Sequence, residues 1–451
     1  MSVNFMSDLL ATVSDRGRRL VGLTPKRKAE ISRRDIRTLC ADLLSHRGEA
    51  SGVAIAQEIL GRYAAMDRVG KKAFLRMLAD EFGPDETRLT AAVAAWQRTP
   101  SPKNIAEIHT AAEPRRQELA RRLNLSPGGT AALVKLREDV LEFIPDEPDL
   151  KVVDADLGHL FNSWFNRGFL VVRRIDWSTP ANILEKIIRY EAVHTIAGWD
   201  DLRLRLEPED RRCYAFFHPQ LADDPLIFVE VALTELIPRA IQPLLEPNRS
   251  ALPLRRATTA VFYSISNCQK GLAGVSFGSF LIKQVVEELK RELPDLVTFV
   301  TLSPVPGFAK WLKSELGGSQ KAITASDAAV LAKLANPDWP ADPATVAAIE
   351  PVLMRQAARY FLDSKRYDGK PLDSVARFHV GNGARLERLN FLGDRSVRGL
   401  EQAHGLMVNY LYDLAGIEEN HEAYAETGAI RANSEIVKLA HRDEPRAVRV
   451  V

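Results

Sequence analysis

TAVFYSISNCQKGLAGVSFGSFLIKQVVEELKRELPDLVTFVTLS, residues 259–303, changes texture twice. Its two ends, TAVFYSIS (259–266) and LVTFVTLS (296–303), are rich in β-branched and aromatic residues, the composition of buried strands. Between them Leu281, Ile282, Val285, Val286 and Leu289 recur at helical spacing. Gly271, Gly274 and Gly278 separate the first strand from that helix. Strand, glycine loop, helix and strand make a βαβ unit, whose two strands are expected to be parallel neighbours. The loop has a chemistry of its own: glycine leaves main-chain N–H groups uncovered, and a helix N-terminus fed by such a loop attracts phosphate. It is not a Walker A, because no Gly-Lys-Ser/Thr closes it, and the acidic residue of a dinucleotide fingerprint has no clear strand-end setting here.

Upstream, from Pro25 to about Phe165, the sequence reads as a succession of amphipathic helices broken at GPDE, TPSPKN, LSPGG and IPDEPD. Segments such as KKAFLRMLADEF and TAALVKLREDVLEF put their apolar residues on one face, and helices of this kind hide that face by packing together. From about residue 167 strand-like runs take over: FLVVRRI (169–175), CYAFFH (213–218) and LIFVEVAL (226–233), then the quoted unit. Residues 320–451 mix helices, as in PATVAAIEPVLMRQAARYFLDS, with short strands expected at ARFHV and GLMVNYLYD. The expected architecture is an all-α N-terminal helical bundle (1–163) followed by an α/β (α+β) domain with a mixed central sheet (164–451).

A chain of 451 residues exceeds what one core usually organises, which agrees with two domains. No uncharged apolar run approaches the ~18 to 20 residues that cross a bilayer, so no membrane partner is expected. Lys and Arg total 61 against 59 Asp and Glu, a balance that gives no reason to expect a nucleic-acid partner. The basic excess is local, in Arg16, Arg18, Arg19, Lys26, Arg27, Lys28, Arg33, Arg34 and Arg37. It reads as a solvated helical surface, with a targeting or anion-binding arm as the alternative. Cys40, Cys213 and Cys268 lie far apart without a CxxC pair, and the nine histidines form no HExxH. Neither a disulfide framework nor a metal site is expected, and a reducing cytoplasm is the natural setting.

The spacing of Gly274, Ser276 and Gly278, followed by Phe280, Leu281 and Ile282, resembles the pyrophosphate loop of the GNAT acyl-CoA-binding superfamily, which also lies between a strand and a helix. Ala273 and Ser276 depart from that loop's usual pattern without blocking main-chain N–H groups. Longer stretches are more specific. FYSISNCQKGLAGVSFGSFLIKQVVEELKRELPDL, LSPVPGFAKWL and FHVGNGARLERLNFLGDRSVRGLEQAHGLMVNYLY, in this order, resemble the malonyl-CoA decarboxylase family, as do YEAVHTIAGWDDLRLRL and RRCYAFFHP before them. The similarity runs over nearly all of 165–413, and the helical segment has the position of that family's bundle domain.

The resemblance implies a GNAT-like catalytic domain that converts malonyl-CoA to acetyl-CoA and CO2. The thioester carbonyl takes up the electrons that CO2 leaves behind, as an enolate, so the substrate carries its own electron sink. No cofactor is expected beyond the CoA that is part of the substrate. By the same resemblance the acyl-CoA-binding segment is Ala273, Gly274, Val275, Ser276, Phe277, Gly278 and Ser279, with main-chain N–H groups facing the diphosphate. Ser303 matches the family's active-site serine, implied to accept a proton. Its hydroxyl has a second use, holding the malonyl carboxylate or enolate oxygen. On its own a serine at a strand end is most often a turn cap. Here it precedes Pro304-Val305-Pro306-Gly307, too rigid to continue strand or helix. His379 matches the family's proton donor, a role suited to an unperturbed pKa of about 6.5. Tyr412 matches a tyrosine near the thioester. A lone histidine or tyrosine in such settings is ordinarily a packed residue. Asn382 and Asn409 are weaker candidates, and His404, His194 and His218 carry no implied role.

Two other readings stand beside this one: a GNAT-type acyltransferase, which would release no CO2 from malonyl-CoA without an acceptor, and a non-catalytic CoA-responsive scaffold. The resemblance also implies a homo-oligomer, dimer or tetramer, through the N-terminal helices. The ending PRAVRVV lacks the peroxisomal Ser-Lys-Leu, and with no convincing transit peptide this supports a cytoplasmic expectation.

Overall fold

The computed structural model describes residues 30–45, 49–221, 223–275, 281–318 and 323–441. Contacts group the chain into two compact units. One comprises Met1–Val171 with Phe217–Asp224 and Gln269–Phe277; the other comprises Val172–Phe216, Pro225–Cys268 and Gly278–Val451. Of the basic N-terminal stretch, Arg16 to Lys28 lie outside the described residues. Arg34 pairs with Asp42, and Arg37 with Glu81 at 2.8 Å, as expected of a solvated helical surface.

The first unit is helical. Its helices span Ile36–Leu44, Glu49–Ala65, Arg68–Glu81, Glu86–Arg98, Pro102–Ala112, Arg115–Asn124, Gly129–Phe143 and Lys151–Trp164. The starts follow from side-chain oxygens that accept otherwise unpaired first-turn N–H groups: Asp35 from Thr38, Asp67 from Gly70, Asp85 from Arg88 and Ser101 from Asn104. Leu39, Ile59, Leu75, Leu123, Leu133, Val140 and Phe161 are all buried, each contributing about 1.5–3 kcal/mol by leaving water. Tyr63 donates to Asp139 Oδ2 at 2.9 Å and Lys71 reaches the same oxygen at 3.0 Å, so the buried carboxylate is satisfied. The two strips from later in the chain belong to this unit as well. The His218 ring lies 4.9 Å from that of Phe165. Gly271 lies so close to the helix Gly129–Phe143 that a Cβ there would fall 1.9 Å from the Val134 carbonyl oxygen.

Among the described residues eight strands form one mixed sheet: β1 (Val171–Ile175), β2 (Arg211–Phe217), β3 (Ile227–Thr234), β4 (Thr259–Asn267), β5 (Thr298–Thr301), β6 (Ser303–Pro304), β7 (Arg385–Asn390) and β8 (Met407–Leu411). The order is β1-β2-β3-β4-β5-β8-β6, with β7 paired to β8 off this path. β2, β3 and β4 run antiparallel in turn, and β2 and β3 are buried along nearly their whole length. β4 and β5 are parallel, Thr259 opposite Thr298 through Phe262 opposite Thr301, joined through the helix Leu281–Glu292. This is the βαβ unit expected from the sequence, and the helix buries Leu281, Ile282, Val285, Val286 and Leu289.

Two local readings are corrected, and one strand is added to those read from the sequence. ARFHV is not a strand: it lies in the helix Ser374–Gly381, whose buried residues Ala376, His379 and Val380 follow helical spacing. Asp373 caps that helix by accepting from Ala376 N at 2.7 Å. RLERLN, too polar to read as a strand, is β7, with a register shift between Leu386 and Arg388. Ser303-Pro304 does continue in the sheet, as a two-residue strand opposite Val408 and Met407; Pro304 is tolerated because β6 is at the end of the strand order.

Candidate functional site

Three segments of the sheet unit bring the candidate site residues together. β5 ends at Thr301, and alternation along an extended chain puts the side chains of Thr301 and Ser303 on one face. β8 is the shared partner: Val300 pairs with Leu411, Ser303 with Val408, and β7 pairs with β8 as well. The third segment is the helix Ser374–Gly381, with His379 in its last turn. The turn after it needs glycine, since Gly383 has φ +83° and a Cβ there would fall 2.1 Å from the Ile417 carbonyl oxygen.

Ser303 Oγ lies 3.2 Å from His379 Nε2, and His379 Nδ1 lies 2.8 Å from the Tyr412 hydroxyl. The three expected site residues, Ser303 on β6, His379 in the helix and Tyr412 just after β8, therefore form one hydrogen-bonded chain. All are buried: Ser303 is 6% exposed, His379 3% and Tyr412 2%. The chain extends through Thr301, whose Oγ1 accepts from Ser303 Oγ at 2.9 Å. The His379 ring stacks on Tyr410, with ring centres 4.6 Å apart, and meets the edge of Phe378 at 5.1 Å. Tyr412 donates its main-chain N–H to Phe299 O at 2.8 Å.

Burial sets the protonation states. It pushes the His379 imidazole down to about 3 and the Tyr412 phenol up, so at neutral pH the unliganded pair is uncharged. The chemistry available is that of a hydroxyl and an imidazole in contact, backed by a phenol: proton transfer at Nε2 or Oγ, and hydrogen bonding to an oxyanion. Among the described residues no three His, Cys, Asp or Glu side chains gather to hold a metal ion.

Of the expected acyl-CoA segment, Ser276, Phe277, Gly278 and Ser279 lie outside the described residues. Ala273, Gly274 and Val275 belong to the helical unit. Arg137 Nη1 donates to the carbonyls of Gly271 and Ala273 at 2.9 and 3.0 Å, while its Nε holds Asp154 at 2.8 Å. Gly274 takes φ +74°, and a Cβ there would meet nothing within 4 Å. Gly271, in contrast, serves close packing.

The remaining candidates separate. Asn409, fully buried, donates to Thr301 O at 2.7 Å and accepts from Asn390 Nδ2 and Arg388 Nε. Asn382 caps the histidine helix, its Nδ2 donating to Phe378 O. His218 packs on Phe165 in the helical unit, and His194 lies 6.4 Å, ring to ring, from Tyr263. Sequence reasoning missed Thr301 and Tyr410. Their signal is spacing: Thr301 is two before Ser303 and Tyr410 two before Tyr412, so each shares a strand face with a named residue.

Known proteins resemble this chain over most of its length. Residues 168–449 match the malonyl-CoA decarboxylase C-terminal domain and residues 82–165 the malonyl-CoA decarboxylase N-terminal domain. A protein of Rattus norvegicus named malonyl-CoA decarboxylase, mitochondrial, is 34% identical over 433 residues, 89% of this chain and 85% of the relative. The protein of that name from Anser anser anser is also 34% identical, over 85% of this chain and 82% of its own length. Crystal structures of malonyl-CoA decarboxylases from Rhodopseudomonas palustris and Agrobacterium vitis superpose with TM-scores of 0.87 and 0.86, at 61% and 57% identity. The matches cover 89% and 90% of this chain, and 98% and 100% of the respective crystallised chains. On these matches the chain belongs to the malonyl-CoA decarboxylase family.

Proposed function

We propose that this chain decarboxylates malonyl-CoA to acetyl-CoA and CO2 with no cofactor beyond the CoA of its substrate, Ser303 and His379 handling the acyl end. The observation that carries the reading is the buried contact of Ser303 Oγ with His379 Nε2, backed by Tyr412. In the reaction the bond between the carboxylate carbon and the methylene breaks, its electron pair enters the thioester as an enolate, and CO2 leaves. A proton must then reach the methylene carbon. His379 is neutral before substrate arrives, because only desolvation acts on it. A malonyl carboxylate beside the pair supplies the missing negative charge and favours the imidazolium, so substrate and proton bind together. Nε2 then gives its proton to the carbanionic carbon and returns to neutrality, while the Ser303 hydroxyl holds the carboxylate or enolate oxygen.

The CoA diphosphate is assigned to residues 273–279; the open space beside Gly274 at positive φ supports close approach of a ligand to main-chain N–H groups. Self-association through the N-terminal helices and a cytoplasmic setting belong to the same proposal, and light scattering and cell fractionation test them. The decisive experiment for the chemistry is CO2 release from malonyl-CoA without an acceptor. The purified chain should turn over, and His379→Ala and Ser303→Ala should each lower kcat by ~10²–10⁴-fold while still binding acetyl-CoA. Unchanged turnover in both folded variants removes these side chains from the mechanism.

A further inference from the structure

The Ser303 hydroxyl has one proton, and the structure accounts for it: Oγ donates to Thr301 Oγ1 at 2.9 Å. The same Oγ lies 3.2 Å from His379 Nε2. A hydroxyl that has given its proton to one neighbour only accepts from the next, so a hydrogen bond at this contact requires the hydrogen to sit on Nε2. Nδ1 then carries the lone pair, and the Tyr412 hydroxyl 2.8 Å away is its donor.

Thr301 is anchored from two sides, one at its hydroxyl oxygen and one at its carbonyl. The main-chain N–H of Tyr410, which has no alternative to donating, reaches Thr301 Oγ1 at 3.1 Å. Asn409 Nδ2 grips the Thr301 carbonyl at 2.7 Å. Asn409 is in turn immobilised, its Oδ1 accepting from Asn390 Nδ2 at 2.8 Å and from Arg388 Nε at 3.1 Å. Thr301 and Asn409 are both fully buried, so no solvent competes for these bonds.

We propose that Thr301 is a positioning residue that fixes His379 as the Nε2–H tautomer by engaging the single proton of Ser303. The proposal rests on reading Ser303 and His379 as the reacting pair and concerns the unliganded site: a substrate oxyanion that draws the Ser303 proton away from Thr301 meets the hydrogen already on Nε2. With hydrogen already on Nε2, the proton that charges the imidazole enters at Nδ1, on the Tyr412 side. The proton delivered to the carbanion leaves from Nε2, on the Ser303 side. The opposite tautomer would present a bare lone pair to Ser303, and the charging proton would then have to enter on the Ser303 side.

The test is the ¹⁵N spectrum of the full chain labelled in its histidine rings, with His379 assigned by loss of its signals in His379→Gln. At neutral pH the expected state is a protonated Nε2 and a bare Nδ1. Thr301→Val preserves shape but removes the acceptor, so Ser303 turns its proton to Nε2 and His379 shifts to the Nδ1–H form; Thr301→Ser should keep Nε2–H. An unshifted tautomer in folded Thr301→Val overturns the proposal. Should valine prevent folding, Tyr412→Phe gives an independent answer: control by Thr301 keeps the hydrogen on Nε2, and a move to Nδ1 overturns it. In kinetics Thr301→Val should lose ~10²-fold in kcat with KM within about twofold, and Thr301→Ser should recover most of it. An equal loss in Thr301→Ser overturns the proposal. The spectra report the tautomer whether or not malonyl-CoA is the substrate, so failure here is distinct from failure of the decarboxylase reading.

Discussion

Burial alone holds His379 down to about 3, and His194 in the same unit falls to about 4, chiefly through desolvation. Both therefore stay neutral in the folded chain at pH values where the unfolded chain, with imidazoles near 6.5, has taken up protons. The unfolded state binds more protons below that point, so stability is fully present above pH 6.5 and declines as pH falls toward 4. For His379 alone the decline between pH 7 and pH 5 amounts to about 2 kcal/mol. Replacing it with glutamine removes this titration whatever constant cost the substitution adds. Urea unfolding at the two pH values should show wild type losing about 2 kcal/mol more than His379→Gln. Parallel losses in the two proteins would mean that the imidazole is solvated or already charged. At this scale the site was only partly legible: Ser303, His379 and Tyr412 could be named from resemblance, but their neutral, buried state could not. Protonation depends on what surrounds a side chain, and those neighbours come from β5, β8 and a helix far apart in sequence.

The element that aims the imidazole is the short helix Ser374–Gly381, and its capping residue is unusual in being buried. Asp373 Oδ1 accepts from Ala376 N at 2.7 Å and Oδ2 from the Tyr360 hydroxyl at 3.2 Å. Tyr360 belongs to the long helix Pro343–Leu362, so one carboxylate both starts the histidine helix and ties it to a neighbour. Asp373→Ala should cost about 1–2 kcal/mol through the lost cap. It should also lower kcat more than it raises KM, because His379 sits at the helix's other end. Thermal unfolding together with steady-state kinetics checks both, and a variant destabilised but fully active would show that the cap does not set the imidazole's aim. The βαβ unit of 259–303 was legible because its apolar periods switch cleanly from strand to helix and back. ARFHV misled because five residues sample too little of either period, whereas Asp373, three residues before Ala376, carried the start signal. β7 escaped because Arg385, Glu387 and Arg388 interrupt its apolar positions, and pairing with β8 overrides that weak local preference.

At the scale of the whole molecule, the chain does not keep its units in sequence order: residues Gln269–Phe277, which follow β4 of the sheet unit, belong to the helical unit. No local pattern foretells this, since the glycine loop reads as part of one continuous strand-to-helix connection. Arg137 is the side chain that binds the loop there. It is 6% exposed, pairs with Asp154, and donates to the carbonyls of Gly271 and Ala273. Removing it with Arg137→Ala leaves two carbonyls and a carboxylate without their donor, an expected loss of about 3 kcal/mol. Its functional consequence separates the two halves of the proposed mechanism. If residues 273–279 grip CoA, freeing their start adds an ordering cost to binding, so the acetyl-CoA Kd and the malonyl-CoA KM should both rise several-fold. The hydrogen-bonded chain of Ser303, His379 and Tyr412 lies wholly in the sheet unit, so kcat at saturation should hold within about twofold of wild type. Calorimetric titration with acetyl-CoA beside steady-state kinetics distinguishes the outcomes. A kcat loss with unchanged Kd would detach the loop from CoA binding and assign Arg137 to the chemistry of the acyl end instead.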